Sequence, residues 1–379
     1  MKIKRLLGIT FAGALAASCT SGASPTPAAP TGGPTTGPAT AGPTEAAWVP
    51  VFEGGVLQPL PDGFPNETLT ILNADEPGAP DGIYARHLQE ALKDVSPVDV
   101  EVIDREDFPT YGTWEALQWI AEQPGGKDGY MSVIGTVVGG SQDLLLTPVT
   151  DDLGVSLADY NFVIVTEYAP HVLIQKKNPP WGSTNLQDMV AYAKAHPGEI
   201  KYISPGPGSG RTVSWLAYAS ALGDIKLDYI VIDGNSKQLA TVGSGEGDLA
   251  LLTADVTLGG FQEGRVDVLM VTGQNPAPDP WPTVPIGNTI IPNDPFGVNR
   301  ALAVPKDVSD LHRQWLYELY KAASQDAGFI AARTAIPGVT MIALTHDEAR
   351  AMAENGLRVS EPVLDELGLL VKRVDEILN

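Results

Sequence analysis

The chain has 379 residues, a formal net charge of −22 and five histidines, and only Cys19 carries a thiol. So acidic a chain lacks the basic footprint that nucleic-acid binding needs, and nucleic acid is excluded as a partner. A single cysteine excludes an internal disulfide.

Lys2, Lys4 and Arg5 precede an apolar run from Leu6 to Ala17, and Ser18-Cys19 follows. A positive start, about a dozen apolar residues and small residues at a processing point make a secretory signal over residues 1–18. The run falls short of the roughly 20 apolar residues that span a bilayer. Cys19 after Ala16-Ala17-Ser18 resembles a bacterial lipobox, so Cys19 is expected to carry a lipid, which would be the chain's only hold on a membrane. Loss of Lys2, Lys4 and Arg5 with the leader takes the charge to about −25.

Residues 20–46 are almost wholly Ser, Pro, Thr, Gly and Ala, a composition that cannot repay the entropy of ordering and reads as a tether. The expected tether runs from Cys19 to residue 65, with the body following. This leader and tether imply an extracytoplasmic protein held on the outer face of the cell membrane, at a Gram-positive surface or in a periplasm.

In the body, Leu69–Leu72 reads as a strand and residues 83–95 as a helix, with apolar residues at 84, 85, 88, 91, 92 and 95. Strands follow at 98–103, 130–138, 162–166 and 171–175, with a helix at 114–122. Helix 186–195, strand 200–203, helix 211–222, strand 229–232 and helix 237–242 continue the alternation, before strands at 248–252 and 266–272. Alternation at this spacing implies parallel sheets with crossover helices. A Pro-rich stretch from Pro276 to Pro295 leads to a strand at 300–304, and helices are expected at 309–323, 327–335, 346–354 and 361–370.

The sharpest local feature is the loop Ser204-Pro205-Gly206-Pro207-Gly208-Ser209-Gly210-Arg211-Thr212, between a strand and a helix. Its glycines permit close backbone approach, and the helix start offers free N–H groups and a positive dipole end to an anion. Ser209 and Thr212 add hydroxyls, and Arg211 a forked donor for a carboxylate. The same stretch also reads as a Gly/Pro-rich turn before a capped helix. The spacing does not match a Walker loop, a dinucleotide fingerprint or a nucleophile elbow. Asp75, Glu76 and Asp81 form an acidic loop that reads either as acid–base or metal chemistry or as solvated charge. The histidines show no metal-ligand spacing. No catalytic residues, metal or cofactor are expected, and the reading is of a protein that is not an enzyme.

In order and spacing, residues 66–372 resemble the substrate-binding proteins of tripartite tricarboxylate transporters, the Bug family. Agreement is densest over 183–273: the helix ending Ala195-His196-Pro197-Gly198, the loop from Lys201 to Ser209, and gapless runs from Gly234 to Asp248 and on to Thr272. The resemblance implies an α/β, two-lobed Venus-flytrap fold of the type II periplasmic-binding-protein kind, with parallel-dominated sheets and a helical C-terminal segment. Its lobes would be 66–170 with 297–379, and 171–296.

A ligand cleft between loops of the two lobes is implied as well. Carried over, the second-lobe loop is Ser204 to Thr212, with Gly206, Pro207, Gly208 and Ser209 on the motif. Gly234, Asn235 and Ser236 form a further loop, and Thr253 takes a polar cleft position. In the first lobe Pro77, Gly78 and Arg86 agree, whereas Asp81 stands one place before the usual acidic position. Asp75, Glu76 and Asp81 would repel a dianion. The ligand expected is a small molecule with at least one carboxylate, a monocarboxylate or a zwitterion fitting the charges at least as well as the family's usual dicarboxylate or citrate. It would be held by Arg211 and the Gly206–Ser209 amides, with Asp75 or Asp81 selecting the remainder. The protein implied is a monomer that passes its ligand to membrane transporter subunits. An exported enzyme that modifies a small molecule, or a receptor feeding a sensor kinase, are the alternatives.

Overall fold

The computed structural model describes residues 48–378 except 76, 77, 109–111, 207, 208, 233 and 367. Its first strands, β1 (Phe52–Glu53) and β2 (Val56–Leu57), pair as a hairpin. Leu57, Leu60 and Phe64 are buried. Phe64 stacks on His312 with ring centroids 4.0 Å apart, and Trp315 Nε1 donates to the Gln58 carbonyl at 2.9 Å. Residues 48–65 therefore belong to the body and not to the tether. The sequence hid this because the segment has neither helical nor strand period, only scattered apolar anchors.

The first lobe opens with β3 (Leu69–Asn73), α1 (Pro80–Leu92), β4 (Val100–Asp104), α2 (Thr113–Glu122) and β5 (Met131–Thr136). It continues with α3 (Val137–Leu146), α4 (Val149–Leu153) and β6 (Asn161–Ala169). After Pro170 the second lobe comprises β7 (His171–Lys176), α5 (Leu186–Ala195), β8 (Lys201–Ser204), α6 (Gly210–Ala221) and β9 (Asp228–Val231). It ends with α7 (Asn235–Ser244), β10 (Leu249–Thr253), α8 (Ala254–Gln262) and β11 (Val266–Val271). The chain then returns to the first lobe as β12 (Val298–Val304), α9 (Asp310–Ser324), α10 (Ala327–Thr334), β13 (Thr340–Leu344), α11 (His346–Glu366) and α12 (Val374–Ile377).

The strand orders are β13-β6-β12-β5-β3-β4 and β11-β7-β10-β8-β9. Pairings β3–β4, β3–β5, β8–β9 and β8–β10 are parallel, the crossover-helix units expected from the sequence. Pairings β5–β12, β6–β12, β6–β13, β7–β10 and β7–β11 are antiparallel. The sheets are thus mixed rather than parallel-dominated. Strands that carry the chain between lobes run against their neighbours, because a chain that leaves a sheet at one end must re-enter it from that end.

Three local expectations are corrected. Residues 137–146 form α3, where the sequence reading ended a strand at 138 and assigned no helix. Two glycines and a β-branched pair give weak helix propensity, but the Thr136 hydroxyl caps the start by accepting from Gly140 N at 3.1 Å. A strand, β13, lies between the helices expected at 327–335 and 346–354, where no element was expected. The last two expected helices are one, because α11 runs through Pro362.

The lobes touch along α3, α6 and α11. Val138 of α3 packs in the second-lobe core beside Trp215, and Val213 of α6 packs in the first-lobe core. A Cβ on Gly210 would lie 2.9 Å from Gly139 Cα, and one on Gly356 would lie 2.7 Å from Val138 Cγ1. Only hydrogen at these positions lets the helices meet. At the return crossing, Gly297 has φ +149°, and an added Cβ would lie 2.5 Å from Tyr168 Cε2 and 2.9 Å from the Ala169 carbonyl. Gly297→Ala is expected to destabilise the protein by about 1–3 kcal/mol, measured by urea unfolding.

Candidate functional site

Between the lobes lies a cavity of about 500 Å³. It sits beyond the carboxyl ends of the parallel strands β3, β5, β8 and β10, where α/β sheets place their ligands. Six helices begin at its wall: α1 at Pro80-Asp81, α2 at Gly112-Thr113, α3 at Thr136–Gly140, α6 at Ser209–Arg211, α7 at Asn235 and α8 at Thr253.

The capping of these helices is informative. Of the helices that begin elsewhere, α5, α9 and α10 carry side-chain caps at Asn185, Ser309 and Asp326, whereas the short α4 and α12 carry none. Of the six at the cavity, only α3 has one; α1, α2, α6, α7 and α8 have no side-chain cap bond. Each uncapped start leaves backbone N–H donors and a partial positive charge, which together favour an anion.

The residues singled out in the sequence divide by location. Asp75, Asp81, Ser209, Arg211, Asn235 and Thr253 line the cavity. Arg211 Nη1 donates to Asn235 and to Gln238 Oε1 at 3.0 Å, which joins the starts of α6 and α7. The Thr253 hydroxyl is buried without a partner among the described residues. Ser204, Gly206 and Thr212 are buried behind the wall. Ser204 Oγ and Thr212 Oγ1 share a hydrogen bond at 2.8 Å, Ser204 Oγ accepts from Gly206 N at 3.1 Å, and Thr212 donates to the Gly206 carbonyl. Their polar atoms hold the shape of the loop. Gly78, Gly234 and Ser236 are exposed and are not among the lining residues. Cys19, Glu76, Pro77, Pro207 and Gly208 lie outside the described residues.

Asp81 does not stand alone against the ligand. Its Oδ1 accepts from Arg300 Nε at 2.8 Å, and Arg300 reaches on to Glu167. Glu167 also takes Arg333 Nε at 2.8 Å and Nη2 at 3.0 Å. Burial pushes the Glu167 carboxyl up, but the charge of Arg300 and the hydrogen bonds and charge of Arg333 outweigh it and hold the carboxyl below its usual range.

Sequence reasoning missed Arg300, which lines the cavity with its side chain only 4% exposed. The available signal was a cation heading the otherwise apolar strand Ala301–Val304. It also missed His171, Gln142 and Asp143. Burial, then the charges of Arg211 and Arg300, push His171 down to about 3, so its imidazole is neutral in the cleft. Among the described residues, no group of three or more potential ligands could hold a metal.

Two α/β lobes, joined by crossing strands around a cleft ringed with helix starts, define a two-lobed solute-binding protein. Residues 86–369 match the profile of the tripartite tricarboxylate transporter family receptor, and the chain belongs to that family of extracytoplasmic receptors. A UPF0065 protein of Bordetella pertussis is 24% identical over 314 residues, covering 81% of this chain and 92% of the relative. Among solved structures, the periplasmic binding protein BugD superposes with a TM-score of 0.63 at 18% identity, over 81% of this chain and 99% of that one. MatC of Rhodopseudomonas palustris with bound malate gives 0.61 at 18%, over 79% and 100%. Rpa4515 of R. palustris with adipate gives 0.63 at 18%, over 80% and 98%. These structural likenesses are of fold.

Removal of the Glu167 charge would leave Arg300 and Arg333 buried without their shared counter-ion. Glu167→Gln is expected to cost about 3–5 kcal/mol of folding stability in urea titrations.

Proposed function

We propose that this chain is a lipid-anchored binding protein that captures a small carboxylate in the inter-lobe cavity and delivers it to membrane transporter subunits. The observation that carries the reading is the convergence of six helix starts, five of them without a side-chain cap, on one cavity. Backbone amides gathered at one cavity favour an anion, and Arg211 among the lining residues adds a cation suited to a carboxylate. Malate and adipate bound in relatives of the same fold support a carboxylate here.

The lobe division drawn from the sequence, 66–170 with 297–379 against 171–296, is retained with its start moved to 48. In this reading the lobes close about the crossings at Pro170 and Gly297, and the closed form docks on the transporter. Cys19 carries the lipid, and the Ser/Pro/Thr/Gly stretch after it holds the body off the membrane. Among the described residues no helix is long and apolar enough to cross a membrane, so this reading places the membrane attachment at Cys19.

A thermal-shift screen against mono-, di- and tricarboxylates tests the ligand class, since binding to the folded state alone raises apparent stability. At least one carboxylate is expected to raise the melting temperature by a few degrees, and Arg211→Ala to weaken its binding about ten-fold or more while the protein stays folded. No stabilisation by any carboxylate would end this reading. For the anchor, Cys19→Ser is expected to move the protein from the membrane fraction to the soluble fraction of expressing cells.

A further inference from the structure

Each lobe contributes three helix starts and one arginine to the cavity wall, Arg211 from the second lobe and Arg300 from the first, but only the first lobe adds carboxyls, those of Asp75, Asp81 and Asp143. These three carboxyls differ in what satisfies them. Asp81 is bound to Arg300. Asp75 is exposed at the rim. Asp143, in the second turn of α3, has no hydrogen-bond or ion-pair partner for its carboxyl among the described residues.

Beside it, Gln142 is 1% exposed and its amide orientation follows from its surroundings. Ser360 Oγ gives its proton to the Gly356 carbonyl at 2.7 Å, so it must accept from Gln142 Nε2 at 2.8 Å. Gln142 Oε1 is thereby left as a buried acceptor without a partner, against Gly210 at the edge of the cavity. Gly139 and Gly140 precede these two residues on the same wall, and their lack of side chains opens α3 to a ligand. Gln142 Oε1 is sealed behind the wall, and the oxygen that α3 presents to the cavity is the unpartnered carboxyl of the half-buried Asp143.

We infer that Asp143 receives the ammonium group of a zwitterionic, amino-acid-like ligand whose carboxylate lies against the start of α6. This rests on the carboxylate-binding reading and names the second half of the ligand. A carboxylate withdrawn from water is stabilised by a paired cation, and a hydroxyl would leave its charge unbalanced. A second ligand carboxylate at this place would meet a like charge. Burial alone pushes the Asp143 carboxyl up to about 7, which is consistent with a group awaiting a counter-ion.

The test is isothermal titration calorimetry of the intact protein at mildly alkaline pH. The titrants are the standard amino acids and, for each, the carboxylate that lacks the α-ammonium. At least one amino acid is expected to bind ten-fold or more tightly than its matched carboxylate. Asp143→Asn, with thermal unfolding as a check and Asp143→Ser as the substitute if it misfolds, is expected to erase that preference, so that each amino acid binds no more tightly than its matched carboxylate. The inference is overturned if plain carboxylates bind as tightly as their amino counterparts, or if the variants keep the preference. Binding by neither set would overturn the carboxylate reading as well.

Discussion

The carboxylate of Glu167 is wholly buried and sits between Arg300 and Arg333, and this ion cluster ties together the parts that make the cleft. Glu167 belongs to β6, the last strand before the chain leaves the first lobe, and Arg300 belongs to β12, the strand by which it returns. Arg333 comes from α10, and Arg300 reaches Asp81 in the first turn of α1. Charges buried this deeply persist only when each is paired and hydrogen-bonded. The cluster therefore specifies the register between leaving and returning strands, and it orients one face of the ligand cavity.

From that frame the rest of the site follows by topology. Parallel strands that end at one level place the following helices with their amino ends together, and two such lobes face each other across the cavity. The chain leaves five of these six helix starts without a side-chain cap, while the longer helices α5, α9 and α10, which begin elsewhere, are capped. A cap satisfies the first N–H groups internally; its omission keeps them for a ligand. Gly210, where an added Cβ would lie 2.9 Å from Gly139 Cα, then allows the first turns of α3 and α6 to come within contact distance. The fold and the gathering of these helix starts at one cavity are in this sense one constraint.

Much of this was legible in the sequence. The strand–helix alternation, the Ser204–Thr212 loop and the family resemblance over 183–273 all reported local or gapless pattern, and the family match bears out the resemblance. The first-lobe half of the site was largely not legible. Residues 137–146 lack the apolar period of an ordinary helix, so Gln142 and Asp143 had no assigned face. Arg300 follows Asp81 by more than two hundred positions, and nothing in either neighbourhood announces the pair. Ser204 and Thr212 looked like ligand hydroxyls because composition cannot tell a side chain that faces a cavity from one that braces a loop.

The division between sequence and structure is accordingly a matter of range. Net acidity, the alternation of strand and helix, and the glycine-rich loop at 204–212 are properties of composition and short segments, and the amino-acid order alone determined them. Partnership across the fold belongs to the tertiary structure. It decided that Asp81 is neutralised by Arg300, that Arg300 and Arg333 share Glu167, and that Asp143 is left unmatched beside the cavity. The reason is that the energy of a buried charge depends on which distant residue the folded chain brings within hydrogen-bonding distance of it.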